Sequence, residues 1–377
     1  MILDQPPLWL ILLAFLAALG PLIFIHEFGH YIVARWFGVG AETFSIGFGR
    51  EVAGWTDRRG TRWKVGWLPL GGYVRFAGDM DPASMGKNLD KLPPAERARA
   101  FHAKPVWQRF LIVLAGPLAN FLLAIAIFAA FFATAGMPTT PSVAAQVVPG
   151  SAAERAGILA GDRIVTMNGR SVESFTDIAN YTLLRPGEQV LIEVERQGRR
   201  LPLTARLDAA VEKDRFGQTY RIGRLGVGNP SPTYERVGPL QLIPAAAKAT
   251  ADTTRSMIDG LGQIITGRRP VSELHGPMKM AQIAGQMASL GFFQFVQLIA
   301  LFSINLGFIN LLPVPMLDGG HLALYTVEAV RRRPLGERAQ EWIFRGGLAA
   351  LMTLLLFTTL NDLGSFGLWQ QLGRLMG

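Results

Sequence analysis

The stretch FIHEFGHYIV, residues 24–33, sets two histidines and a glutamate into a run of otherwise apolar side chains. Immediately upstream, residues 7–25 read PLWLILLAFLAALGPLIFI without a single charge, and the next basic residue beyond the stretch is Arg35. About 20 apolar residues suffice to cross the hydrocarbon core of a bilayer. The three ionisable groups therefore stand in a segment suited to lipid, where each costs a few kcal/mol near the bilayer centre unless something compensates it. A divalent ion compensates all three at once.

The spacing agrees with that reading. His26 and His30 are four residues apart, which on an α-helix means an offset of about 40° around the axis and roughly 6 Å along it. Both imidazoles can then grip one ion, with Glu27 beside them to take a proton from water; this is the H-E-x-x-H pattern of zinc hydrolases. A catalytic zinc takes three protein ligands and keeps one position open. A third ligand must come from elsewhere in the chain, at the same depth.

Half of the 377 residues are hydrophobic and only 17% are charged. The apolar residues gather in blocks at about 8–34, 106–135, 293–326 and 346–369, which indicates a multi-pass α-helical membrane protein with four transmembrane helices. The first block lacks a basic leader and is too long for a signal peptide, so it is expected to be a retained helix. The net charge of +9 does not point to nucleic acid. Its basic residues flank the spans: Arg35, Arg50, Arg97, Arg99 and Lys104 lie between the first two, Arg331, Arg332, Arg333 and Arg338 between the last two, and residues 136–142 carry none. The cytoplasmic bias of Lys and Arg then places 35–105 and 327–345 in the cytoplasm, and both termini and 136–292 outside. With no cysteine, no disulfide supports the outer part.

His26 lies 18 residues beyond Leu8, roughly 27 Å along a helix and so toward the cytoplasmic side. The third span carries its polar cluster, NLLPVPMLDGGH, at its own cytoplasmic end. Asp318 and His321 are both capable ligands there, and spacing does not choose between them. Pro313 and Pro315 break the helix while Gly319 and Gly320 let the backbone turn, so the Asp318 carboxylate can reach a neighbouring span. His321 reads more simply as a polar partner at the end of the span, and His102 and His275 as solvated loop histidines. Between the spans, residues 40–78 alternate short apolar runs with glycine and read as two or more β-hairpins near the membrane surface. Residues 79–104 read as a loop with a short helix. Residues 142–208 read as one small α/β unit, 209–236 as a linker with one strand at IGRLGV, and 239–290 as two surface helices outside the membrane.

Taken together, HEFGH in the first span, AGPLAN in the second and NLLPVPMLDGG in the third resemble the site-2 protease family of intramembrane zinc metalloproteases, in its bacterial RseP (regulator of sigma-E protease) branch. LPLGGYVRFAG is similar to the family's membrane-reentrant β-hairpin, and PGSAAERAGILAGDRIVTMNGRSV to a PDZ domain. The resemblance implies zinc held by His26, His30 and Asp318, with Glu27 as general base. It implies that Asn305 and Asn310 engage the substrate helix, that Asn120 lies close to the site, and that Gly71, Gly72 and Tyr73 belong to a hairpin edge that receives substrate as an added strand. The implied layout is a first helix in 1–37, the hairpin region in 38–104, a second helix in 105–136, and a PDZ-like domain in 137–210. A linker strand and outer surface helices in 211–292 follow, then a third helix in 293–328, a cytoplasmic loop in 329–345, and a fourth helix with the C-terminus in 346–377. The best-studied RseP proteins carry two tandem PDZ domains, whereas this chain has room for one, as in the single-PDZ members also known in the family.

The implied partners are single-span membrane proteins in the bacterial inner membrane, such as a pre-trimmed anti-sigma factor or signal-peptide remnants, cut near the cytoplasmic side. A peptide C-terminus at the PDZ domain is a further implied partner. The alternative is a catalytically inactive, membrane-embedded PDZ adaptor, which would have no need of all four site residues. A metal transporter would distribute polar groups along a path across several spans, and here they cluster at one depth.

Overall fold

The computed structural model describes residues 6–78, 93–213, 219–228, 233–267, 270–271, 276–333 and 335–365. The chain forms two compact units, one of Met1–Phe128, Ala247–Thr254 and His275–Leu360, the other of Ala129–Ala246, Arg255–Leu274 and Asn361–Gly377.

The first unit is built on helices. Leu8–Trp36, Val106–Thr134, Phe292–Leu311 and Arg338–Leu363 are each long and apolar enough to cross a membrane. In the first span, Trp9, Leu12, Leu13 and Leu16 are exposed while Ala14, Ala18 and Leu22 are buried. In the first turns of the span large apolar side chains thus face outward, while the small Ala14 and Ala18 face protein. That is the arrangement required in lipid, where helices gain nothing from hiding leucine and associate through close packing instead. The first span also carries a neighbour that the sequence assigned to the surface. Helix Pro277–Leu290 lies along it, with Gly285 so close to Ile11 that an added Cβ would come within 2.7 Å. Ala284 joins Ala14 and Leu298 in one buried cluster. The expectation of two surface helices in 239–290 therefore fails for the second, because its small and polar residues (Ala284, Gly285, Gln282) form a contact face and not a wetted one.

Between the first two spans, two long bent strands, β1 (Ala41–Thr56) and β2 (Arg62–Phe76), make the hairpin region. Each bends enough to act twice. Phe44 pairs with Val74 on one side and Trp63 on the other, while Trp55 also pairs with Trp63. The ribbons therefore lie in the order 72–76, 41–46, 62–66 and 51–56, and the outer edge of 72–76 pairs with no other strand among the described residues. Phe44 sits at the centre, fully buried, stacked on Trp63 at 4.3 Å and packed against Phe24 and Tyr31 of the first span. This aromatic cluster fastens the sheet to the span. Of the loop expected at 79–104, helix Pro94–Arg97 is present, and 79–92 lie outside the described residues.

The apolar run expected as one span at 293–326 is two elements. The helix stops at Leu311, and a new one runs Asp318–Arg331. Pro313 and Pro315 cannot donate backbone hydrogen bonds, which ends the first helix. The turn closes through Val314 N to Leu312 O (2.7 Å) and Leu317 N to Val314 O (3.1 Å). Gly319 and Gly320 fold directly onto the Leu311, Leu312 and Val314 carbonyls, leaving no room for a Cβ at either position.

The second unit contains a four-stranded antiparallel sheet in the order Arg170–Ser171, Arg163–Met167, Gln189–Arg196 and Arg199–Arg206. Alternation sets its core: Val190, Ile192 and Val194 are fully buried while Leu191 between them is exposed. Helix Phe175–Leu183 starts at a capping box formed by Ser174 and Asp177. The expectation of 209–236 as a linker with one strand needs correction. Asp208–Lys213 and Thr219–Arg224 form a hairpin, and Leu225 and Val227 pack into the core of the preceding domain. The domain therefore continues past residue 210. Its apolar residues there alternate with arginine and glycine, which disguised a strand as a polar connector.

One ion pair fixes the Leu159–Asp162 turn to that sheet. Asp162 is almost fully buried and accepts from Arg196 Nε (2.7 Å) and Nη2 (2.6 Å) and from the Leu159 amide (2.8 Å). Burial pushes its carboxyl up, but the Arg196 and Leu159 hydrogen bonds outweigh burial and hold it below the usual carboxylate range. A depressed native pKa means a contribution present at neutral pH and lost as pH falls through the native value. We expect Asp162→Ala to destabilise this unit at pH 7, because the Arg196 guanidinium and the Leu159 amide lose their common acceptor. The difference from wild type should shrink in acid, read as amide exchange of the Gln189–Arg206 hairpin; a pH-independent difference would refute the account.

Candidate active site

All the site residues singled out here belong to the first unit. His26 and His30 project from the first span, four residues apart, and both are buried. The second span passes against them, and its AGPLAN segment supplies the space. Gly29 packs on the Ala115 carbonyl and on Ala119 Cβ, while the His30 ring occupies the position that a Cβ on Gly116 would take. Small residues at facing positions let the two backbones approach. That approach orients both imidazoles: His30 Nδ1 lies 2.9 Å from the Ile112 carbonyl, and His26 Nδ1 lies 3.1 Å from Asn120 Nδ2. A carbonyl only accepts, so His30 carries its proton on Nδ1 and leaves Nε2 bare.

The third contributor comes from the start of helix Asp318–Arg331. Asp318 Oδ2 stands 3.1 Å from His26 Nε2 and 3.4 Å from His30 Nε2, and the two Nε2 atoms are 3.3 Å apart. Ligand atoms held about 2.0–2.1 Å from a tetrahedral zinc stand roughly 3.3–3.4 Å from one another. Asp318 Oδ2 is also buried with no aligned hydrogen bond. An oxygen left without a hydrogen, facing two ring nitrogens at these separations, suits a cation and little else. His26, His30 and Asp318 could therefore hold zinc with one coordination position left for water or substrate.

Spacing alone did not choose between Asp318 and His321, although His321 read more simply as a polar partner and the resemblance implied Asp318. Geometry separates them: one helical turn on, His321 lies against the rings of Phe344 (5.1 Å) and Tyr325 (6.3 Å) and is not among the residues that converge. His102 packs on Phe101, and His275 lies outside the described residues.

Glu27 faces the β-sheet. Its carboxylate accepts from the Val74 backbone N–H on the outer edge of β2. Gly72 is the closest approach, where a Cβ would stand 2.7 Å from Ile23 Cγ2, 2.8 Å from the Ser45 carbonyl and 3.0 Å from Glu27 Cγ. Gly72 and Val74 thus share the face turned to the first span. Gly71, at φ +98°, and Tyr73 instead pack on the Phe48 ring. Asn120 is fully buried, as already placed, against His26. Asn305 and Asn310 are half-buried on the third span. Asn310 lies seven residues beyond Ser303, two helical turns on, and so shares the face that meets the second span, where Ser303 Oγ donates to the Asn120 carbonyl at 2.7 Å and Gly307 packs on the Pro117 carbonyl.

Several contributors escaped the sequence reading: Gly29, Gly116, Gly307, Ser303, the Ile112 carbonyl and the Val74 amide. The glycines had a usable signal, since a small residue inside a spanning helix marks close approach. Backbone groups have none.

The model of peptidase family M50 matches residues 14–354. The chain belongs to peptidase family M50, the site-2 protease family. A relative from Rhizobium meliloti whose name places it among zinc metalloproteases is 41% identical over 355 residues, covering 93% of this chain and 95% of its own length. Metalloprotease MmpA of Caulobacter vibrioides is 38% identical over 392 residues, covering 97% of this chain and 98% of its own. A similarly named relative from Rickettsia conorii is 36% identical over 357 residues. This protein is accordingly a membrane metalloprotease, and its family's metal is zinc.

Because the His30 ring fills the space over Gly116, Gly116→Ala must push the ring aside. Zinc affinity should fall by about 10- to 100-fold, the scale for losing ligand orientation. Competition against a chromophoric chelator measures it, and wild-type affinity would show that the close approach is not needed.

Proposed function

We propose that this M50 peptidase cuts a peptide bond within the transmembrane segment of single-span membrane proteins, with His26, His30 and Asp318 holding zinc and Glu27 as general base. The observation that carries the reading is the meeting of His26, His30 and Asp318 atoms from a membrane-spanning helix and from a distant turn at tetrahedral-edge distances. Zinc, when bound, polarises a scissile carbonyl and lowers the pKa of water. Every other task falls to the chain. Glu27 takes a proton from the attacking water and passes it to the leaving amine, as a general base and then acid. The Val74 amide holds the Glu27 carboxylate on the side facing β2.

A substrate helix has its carbonyls already hydrogen-bonded and must open before it can be cut. The outer edge of Gly72–Phe76, which pairs with no other strand among the described residues, offers backbone groups to an extended peptide. Gly72 and Val74 on that ribbon adjoin Glu27, so a strand added there would run past the general base. Asn305 and Asn310 serve as competing partners for the backbone groups of the unwinding helix, with Gly71 and Tyr73 shaping the bend of β2. The resident membrane is the bacterial inner membrane with both termini outside and the site toward the cytoplasm, as the flanking arginines favour. The second unit's sheet and helices serve as a PDZ-like module that binds a peptide C-terminus or limits substrate size. Anti-sigma factors already trimmed outside the membrane and signal-peptide remnants are the substrate classes that such a site would accept.

Glu27→Gln in purified protein should keep its zinc and lose cleavage of a single-span reporter by about 10²- to 10⁴-fold, the range for removing a general base. Undiminished turnover would sink the assignment. An adaptor without activity would show no cleavage in wild type either. Gly72→Val should also retain zinc, because it touches no metal-facing atom, yet lower turnover by about 10²-fold by displacing the sheet from Glu27; equal turnover would remove the hairpin from the catalytic arrangement.

A further inference from the structure

The metal-facing atoms His26 Nε2 and His30 Nε2 differ in what stands behind them. Behind His30 is a main-chain carbonyl, which admits only one tautomer. Behind His26 is the Asn120 side chain, which can present either an acceptor or a donor. Asn120 is fully buried, its Nδ2 is 3.1 Å from His26 Nδ1, and its Oδ1 has no hydrogen-bond partner. Its backbone is pinned, since Ser303 Oγ donates to the Asn120 carbonyl at 2.7 Å. The side chain is thus held at the second span while its amide keeps one unused acceptor.

The chemistry of the imidazole decides how that acceptor is used. A neutral histidine whose Nε2 faces a cation bears its proton on Nδ1, and a buried N–H needs an acceptor. With Nδ2 toward the ring, His26 Nδ1 accepts and the ring proton lies on Nε2, the atom 3.1 Å from Asp318 Oδ2. That arrangement suits a site without a cation and blocks one from entering. A half-turn of the amide about its terminal torsion exchanges Oδ1 for Nδ2 without moving any other atom.

Resting on the zinc-site reading above, we propose that Asn120 is a positioning residue for His26: in the loaded enzyme its Oδ1 accepts the His26 Nδ1 proton, fixing the tautomer that bares Nε2. Both histidines are then oriented from the second span, His30 by the Ile112 carbonyl and His26 by the Asn120 amide. Asn120 acts through His26 and has no contact role toward the scissile bond.

The test uses full-length protein in nanodiscs with zinc alone as the probe. Asn120→Asp keeps an acceptor and cannot donate, and should retain zinc within a few-fold of wild type in chelator competition. Asn120→Leu keeps the volume but supplies no acceptor, and should bind zinc about 10- to 100-fold more weakly. Equal loss in both variants, or wild-type affinity in the leucine variant, overturns the proposal. A measurement on the wild type stands apart from any folding defect. With ¹⁵N-histidine labelling, the zinc-loaded protein should show a protonated, hydrogen-bonded Nδ1 and an unprotonated Nε2 at His26, assigned by loss in His26→Gln. Protonation at Nε2 in the loaded protein overturns it. Failure of wild type and all variants alike to bind zinc would instead count against the zinc-site reading itself.

Discussion

The active site depends on how closely two membrane spans approach at Gly29 and Gly116. Nothing at that contact has a side chain large enough to hold the helices apart, and the Ala115 carbonyl and the His30 ring fill the space. In lipid, helices gain no association energy by hiding apolar surface, so contact area and polar bonds must supply it. The close approach achieves both. It brings the Ile112 carbonyl and the Asn120 amide within reach of two imidazoles that would otherwise be costly polar groups in hydrocarbon. The same helix then receives the third span through Gly307 and Ser303.

The metal-facing set is completed by a failure of helix rather than by a helix. A continuous helix through residues 293–326 would carry Asp318 past the site along its own axis. Two prolines stop the third span at Leu311, and the Gly319–Gly320 pair packs the following turn against that helix's own terminal carbonyls. Asp318 thereby begins a new helix with its carboxylate turned toward His26 and His30. Irregular backbone at membrane depth is tolerated only where protein or a wet cavity covers it, and a hydrolytic site requires both. The new helix is held at its far side as well: Arg109 of the second span pairs with Glu328 at 2.7 Å and lies 4.9 Å over the Tyr325 ring.

The β-sheet serves the same centre from another direction. An aromatic cluster of Phe24, Tyr31, Phe44 and Trp63 fixes it to the first span. The Val74 amide and the bare face of Gly72 bring its unpaired edge up to Glu27. The general base and the strand-accepting edge proposed above are therefore in direct contact.

By itself the sequence determined the spans, their number and the pair of histidines with the intervening glutamate, because these are properties of contiguous residues: a run of apolar side chains, and a four-residue spacing on one helix face. It also signalled the break at Pro313 and Pro315. Spacing did not separate Asp318 from His321; the resemblance favoured Asp318, and the tertiary structure supplies the physical reason, since a neighbouring helix selects the direction in which a carboxylate one turn away must point. The tertiary structure alone turned one face of helix Pro277–Leu290 onto the first span and carried the outer domain past residue 210, because small and alternating residues take their meaning from the partner they face. The orienting groups behind the histidines were the least legible of all. A main-chain carbonyl has no letter in the sequence, and the role of Asn120 emerges only once the ring behind which it stands has been placed.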